Sequence, residues 1–174
     1  PDATRVFGTS APGTGLQRVA SSGGPVTVLT RPNRERGEAD HFPSAWLPGG
    51  RRVLFTILPA RGGLDAAKVA VLDLASGETR TVLEGAYAAR YVDSGHLVYA
   101  AAGGLWATRF DLSRVETQGL PVEQLRDLTI QTTGGAADFD VAGAGTLAYS
   151  RGATASTVVA PVWVDRQGHE APFT

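Results

Sequence analysis

The sequence predicts an all-β fold, specifically a β-propeller of about four blades with four antiparallel strands in each blade. Three observations support this prediction. A short motif, a glycine followed by apolar residues and an aromatic residue, recurs along the chain, and its aromatic residues are spaced by 48, 44 and 50 positions. Each repeat divides into short strand-like runs that are joined by turn residues. No window has the convincing periodicity of a helix.

The aromatic residues that mark the repeat are Phe7, Phe55, Tyr99 and Tyr149. A period of this length with only short strands inside it is typical of propeller blades, which take about 40–50 residues each. The repeat divides the 174 residues into four units, at about 1–36, 37–85, 86–128 and 129–174. We expect these units to form one domain that falls just short of four complete blades.

The first unit is expected to lack its innermost strand, and its three predicted strands are 4–9, 15–20 and 26–30. The predicted strands of the second unit are 44–47, 52–58, 69–74 and 79–83. Those of the third unit are 89–92, 96–101, 105–110 and 122–125. Those of the fourth unit are 137–141, 146–150, 162–165 and 171–174. The polar or small-residue segments 31–41, 59–67, 129–135 and 151–161 are predicted to be loops.

Charge and composition exclude several classes of protein. The chain has 16 basic and 17 acidic residues and a net charge of −1, which argues against a general nucleic-acid binder. No apolar run approaches the roughly 20 residues of a membrane span, so we expect no membrane contact by this segment. The absence of cysteine excludes disulfides, thiol nucleophiles and zinc–thiolate sites.

The sequence contains no constellation typical of an enzyme. A Gly-x-Ser-x-Gly elbow does not occur, and His41, His96 and His169 fall in three different units. We therefore predict that the chain is not an enzyme and has no catalytic, cofactor or metal site.

The residues that we predict to line a central channel or a blade interface are Arg90, Asp138, Asp140 and His41. Alignment of the repeats places Arg90 and Asp138 at equivalent positions on the innermost strands of successive units. They are expected to form an ion pair that joins two blades or belongs to a polar channel. Asp138 and Asp140 are two residues apart and would share one strand face, where solvated carboxylates are favoured over a cation site.

A mixed-charge segment precedes the second unit and continues into it. It contains Arg31, Arg34, Glu35, Arg36 and Glu38. Such a segment is predicted to be a solvated loop, with a partner-docking surface as the alternative.

Several segments resemble TolB-like, WD40-like (PD40) propeller repeats. They are 37–43, 47–56, 89–92, 94–99 and 162–168. In detail they are most similar to the propeller that follows the kinase domain and membrane segment of many bacterial serine/threonine protein kinases. The resemblance implies a non-enzymatic interaction or sensor module that lies outside the cytoplasm. The aspartate of the usual aspartate-glycine turn is replaced at Gly49, Ser94 and Ala144, while the glycine that follows is kept.

If the chain has too few blades to close a ring, the first and last sheets each leave one face uncovered. We expect two copies of the chain to complete one ring of about eight blades, as a homo-oligomer. A fragment of a larger ring and a closed four-bladed ring are the alternatives, and a protein partner is a further possibility. The alternative functions are an accessory propeller of a larger peptidase-like hydrolase and an excised or designed repeat whose only property is assembly.

Overall fold

The all-β class is confirmed. The computed structural model describes residues 4–9, 11, 13–131, 134–143, 145–152, 162–164 and 170–172. In these residues the chain forms antiparallel β-sheets, two short 3₁₀ helices at Arg34–Arg36 and Gly63–Ala66, and no α-helix. No helix in this part of the chain is long and apolar enough to cross a membrane.

Sheet 1 is formed by the first unit. Its strands are β1 (Thr4–Phe7), β2 (Gln17–Ala20) and β3 (Thr27–Val28), in that order across the sheet. All three strands lie within the predicted runs, and the sheet has three strands rather than four, as expected for a unit without its innermost strand.

Sheet 2 is formed by the second unit. Its strands, in order across the sheet, are β4 (Glu38–Trp46), β5 (Arg52–Pro59), β6 (Lys68–Asp73) and β7 (Thr79–Glu84). The predicted loop 31–41 is wrong over its last four residues, because β4 begins at Glu38. Asp40 and His41 pair with Leu58 and Ile57 of β5, so this long-range ladder overrides the polar local sequence.

Sheet 3 is formed by the third unit. Its strands, in order across the sheet, are β8 (Tyr87–Val92), β9 (His96–Ala101), β10 (Gly104–Asp111) and β11 (Glu116–Leu125). β11 begins six residues before the predicted 122. The register shifts between Ala107 and Arg109, where Gly119 and Pro121 form a bulge on this outer strand instead of ending it.

The fourth unit differs from the expected four-stranded sheet. Its described residues form three pairs, namely β12 (Ile130–Gln131) with β13 (Ala136–Ala137), β14 (Phe139–Val141) with β15 (Leu147–Tyr149), and β16 (Val162–Val164) with β17 (Glu170–Pro172). The predicted strand 137–141 is interrupted at Asp138, whose main chain bonds Thr129 and Ser150 at 2.9 Å each. The predicted turn 166–168 lies outside the described residues.

The first three sheets stack face to face in chain order. In a strand, successive side chains point to opposite faces, so neighbouring residues serve different neighbouring sheets. On β5, Phe55 packs towards sheet 1 with Leu16, whereas Leu54 packs towards sheet 3 with Leu97. On β9, Leu97 turns back to sheet 2, and Ala100 joins a third cluster with Phe139 of the fourth unit. The core is therefore a series of apolar layers between consecutive sheets.

Candidate functional site

Arg90 connects sheet 3 to the fourth unit. It lies on β8, and its Nε is 3.3 Å from Oδ1 of Asp140 on β14. Its guanidinium also lies 5.8 Å from the centre of the Phe139 ring and donates to the Ala89 carbonyl at 3.3 Å. Arg90 therefore makes an ionic, an aromatic and a main-chain contact at one position.

The prediction that Arg90 pairs with Asp138 is wrong, because the acidic partner of Arg90 is Asp140. The repeat alignment assumed an unbroken strand through Asp138. The structure instead breaks the strand there and begins β14 at Phe139, which brings Asp140 to the guanidinium. The pair still links consecutive units, as the repeat alignment predicted.

The ionic part of this contact is weak. The Asp140 side chain is 81% exposed and the Arg90 side chain 28% exposed. A solvent-exposed ion pair of this kind contributes about 1 kcal/mol or less, because water screens it and both side chains lose freedom. Because the Arg90 guanidinium also lies against the buried Phe139 ring, the contact does not depend on the charge of Asp140 alone.

His41 is buried between sheets 1 and 2. It is 4% exposed, and its ring meets the Phe55 ring edge-on at 5.1 Å. Its Nδ1 lies 2.8 Å from Thr30 Oγ1, and its Nε2 lies 3.1 Å from Glu38 Oε2. This cluster therefore links Thr30, at the end of the first unit's last predicted strand, to β4 of sheet 2.

The hydroxyl, imidazole and carboxylate of Thr30, His41 and Glu38 follow the order of a catalytic triad, but the hydroxyl is committed to structure. Thr30 Oγ1 is buried, accepts the Leu16 N–H at 2.9 Å and lies within hydrogen-bond distance of His41 Nδ1. The His41 Nε2–H donates to the Glu38 carboxylate, and because burial lowers the pKa of His41 and favours the neutral ring, Nδ1 then accepts the proton of Thr30. The arrangement satisfies buried polar groups where the two sheets meet.

Asp40 strengthens the same junction from the next position along β4. It is buried, and its Oδ1 accepts the Gly15 N–H at 3.2 Å and the His41 N–H at 2.8 Å. Neither Thr30 nor Asp40 was predicted to be a site residue, because each is an ordinary polar residue in a loop or strand end. Their role depends on a sheet-to-sheet contact that local sequence does not encode.

The His41 cluster predicts a pH-dependent stability. Burial lowers the pKa of His41 from 6.5, although the hydrogen bond to Glu38 and the charges of Glu38 and Asp40 oppose this shift. Because the unfolded chain then binds more protons, stability is complete above about pH 6.5 and declines as the pH falls below it. We expect the free energy of unfolding, measured by urea titration, to decrease between about pH 7 and pH 5.

The variant His41→Gln should lose this slope, since it carries no titrating ring. His96→Gln is the control, because His96 lies on sheet 3 and contacts Ser94 instead of the His41 cluster. An unchanged slope in His41→Gln would show that other groups cause the pH dependence.

The histidines do not assemble into a metal site in the described part of the chain. His41 and His96 lie on different sheets, and His169 lies outside the described residues. Among those residues, no group of three or more His, Asp or Glu side chains is placed to hold a metal ion.

Comparison with known proteins found no relative: no protein-family model, curated protein or solved structure matches the chain. The resemblance to TolB-like repeats therefore stays a prediction from the sequence.

Proposed function

We propose that this chain is a non-enzymatic protein-interaction module, built as a partial β-propeller whose ring is completed by a second copy. The observation that supports the proposal is the stacking of sheets 1, 2 and 3 in chain order, each covering one face of the next. Consecutive four-stranded sheets packed in this way are the construction principle of propeller blades.

The expectation of a second copy rests on one face of sheet 1, which has no sheet packed on it in the described part of the chain. Val6 and Leu16 pack on sheet 2, so the residues next to them point to the opposite face. On that face Gln17 pairs with Phe7 on one side and Val28 on the other. Val28 is 43% exposed. Within the part of the chain that the structure describes, the apolar cluster of sheet 1 is formed with sheet 2 alone, which leaves this second face, here called the terminal face, without a covering sheet.

An uncovered sheet face with apolar residues favours association. In a propeller every blade is covered on both sides, so the terminal face of one copy would meet the last unit of another copy. A two-fold axis repeats this contact and closes the ring without leaving a free face.

The solution mass tests the proposal. The chain has a mass of 18.1 kDa, and we expect light scattering to give twice that value. The double variant Val19→Asp/Val28→Asp places two charges on the terminal face and should return the mass to that of one chain, because buried unpaired charges are costly.

Leu120→Asp/Val122→Asp is the matched control. These residues are 89% and 60% exposed on β11, the outer strand of sheet 3. This control should keep the double mass. A monomeric wild type at high concentration, or a dimer that persists in the terminal-face variant, would contradict the proposal.

A further inference from the structure

A groove of about 630 Å³ opens at one end of sheet 2. Its lining comes from the 3₁₀ helix Arg34–Arg36, from the end of β5 and from the loop that follows β5. Ile57 and Pro59 supply apolar lining. The volume is that of a site for a small molecule, which usually occupies about 300–1,000 Å³.

The polar lining of this groove is mostly cationic. The basic residues that line it are Arg34, Arg36, Arg61 and Lys68. Lys68 pairs with Glu84 at 3.2 Å. Within the part of the chain that the structure describes, none of the three arginines has a carboxylate within 4.0 Å, whereas Arg51, Arg52, Arg80, Arg90, Arg114 and Arg126 all do.

Glu38 also lines the groove, but its carboxylate is engaged elsewhere. Its Oε2 accepts the Asn33 N–H at 2.6 Å and contacts His41 Nε2 at 3.1 Å. From the sequence alone, the basic and acidic residues of segment 34–38 would be expected to pair and neutralise each other's charge. The fold separates them, because the Glu38 carboxylate binds His41, whereas Arg34, Arg36 and Arg61 are exposed residues of the groove lining, with the Arg34 guanidinium close to Gly13.

From these contacts we infer that the groove binds a small ligand with two or more oxyanion groups, either phosphates or carboxylates. A guanidinium presents a planar fork of donors that matches two oxygens of such a group. Arg34 and Arg36 come from one segment and Arg61 from another, so a ligand with two anionic groups can contact both segments. A single small anion would engage only part of this lining.

The local charge stands out because the whole chain does not attract anions. Its net charge is −1, so general electrostatic attraction does not explain binding at this groove. The inference goes beyond the proposed function and does not depend on ring assembly. Its test measures ligand binding, whereas the test of the proposed function measures mass, so the two can fail separately.

The experiment is calorimetric titration of the full chain in phosphate-free buffer with inorganic pyrophosphate in one arm and citrate in the other. We expect saturable one-to-one binding of at least one probe, weakened by added salt. The variant Arg36→Gln/Arg61→Gln should raise the dissociation constant at least about tenfold, because it loses charge-assisted hydrogen bonds to the ligand. The arm that binds identifies the oxyanion as phosphate or carboxylate.

Arg18→Gln/Arg109→Gln is the matched control. Both arginines are exposed and lie on sheets 1 and 3, away from the groove, and replacing them removes the same total charge. This control should bind within about twofold of the wild type. Equal losses in both variants would overturn the inference in favour of a net-charge effect. Absence of saturable binding of both probes would overturn it as well.

Discussion

Replacing Phe55 by alanine is expected to lower the free energy of unfolding by about 3–5 kcal/mol. The Phe55 side chain is completely buried and lies in the apolar layer between sheets 1 and 2 with Leu16, Ala70 and Leu72. Truncation removes these contacts and the edge-on contact with the His41 ring. Stability of a domain this size is only about 5–15 kcal/mol, so the loss is a large fraction of the total.

Urea titration of Phe55→Ala measures this loss directly. The control is Leu120→Ala, whose side chain is 89% exposed and whose truncation should change stability by about 0.5 kcal/mol or less. A loss below about 1 kcal/mol in Phe55→Ala would show that sheets 1 and 2 are not packed through this ring.

Gly15→Ala is expected to lower the free energy of unfolding by roughly 2–5 kcal/mol. Gly15 has φ +67°, a left-handed conformation that an alanine adopts only with strain. An added Cβ would also collide with the carbonyl oxygen of Thr30. Because the Gly15 N–H bonds Asp40 and the Thr30 hydroxyl bonds His41, the collision would disturb the junction of sheets 1 and 2.

Gly77→Ala separates the two causes of this loss, the strain of a left-handed backbone and the collision of the added Cβ. Gly77 lies in the turn between β6 and β7 with φ +76°, and no atom is within 4 Å of an added Cβ. It should therefore lose only the conformational term, about 1–2 kcal/mol. The difference between the two variants in chemical denaturation reports the collision at Thr30. Equal losses would mean that the close approach of Gly15 to Thr30 does not exist in solution.

Sheets 2 and 3 were largely predictable because their strands carry apolar runs that are bounded by turn residues. The predicted run 52–58 corresponds to β5 (Arg52–Pro59), and 96–101 is identical to β9 (His96–Ala101). These runs are buried on both faces, so their hydrophobicity is continuous and easy to recognise. The polar start of β4 was missed because only its pairing with β5 makes it a strand.

The candidate sites were less predictable, because each joins residues from different units. Repeat alignment placed Arg90 next to the fourth unit, but the strand break at Asp138 selected Asp140 as its partner. The groove arginines come from segments that are 25 residues apart, and only their convergence at the end of sheet 2 makes them one site.

The amino-acid sequence by itself determined the all-β class, the repeat of units along the chain and most of the strands of sheets 2 and 3, but not the starts of β4 and β11. These features follow from short apolar runs and the turn residues that bound them, which act within a few residues of one another. Only the tertiary structure decided which polar groups meet, namely His41 with Thr30 and Glu38, and Arg90 with Asp140. The physical reason is that hydrogen bonds and ion pairs depend on distances of a few ångströms, which are set by the stacking of whole sheets.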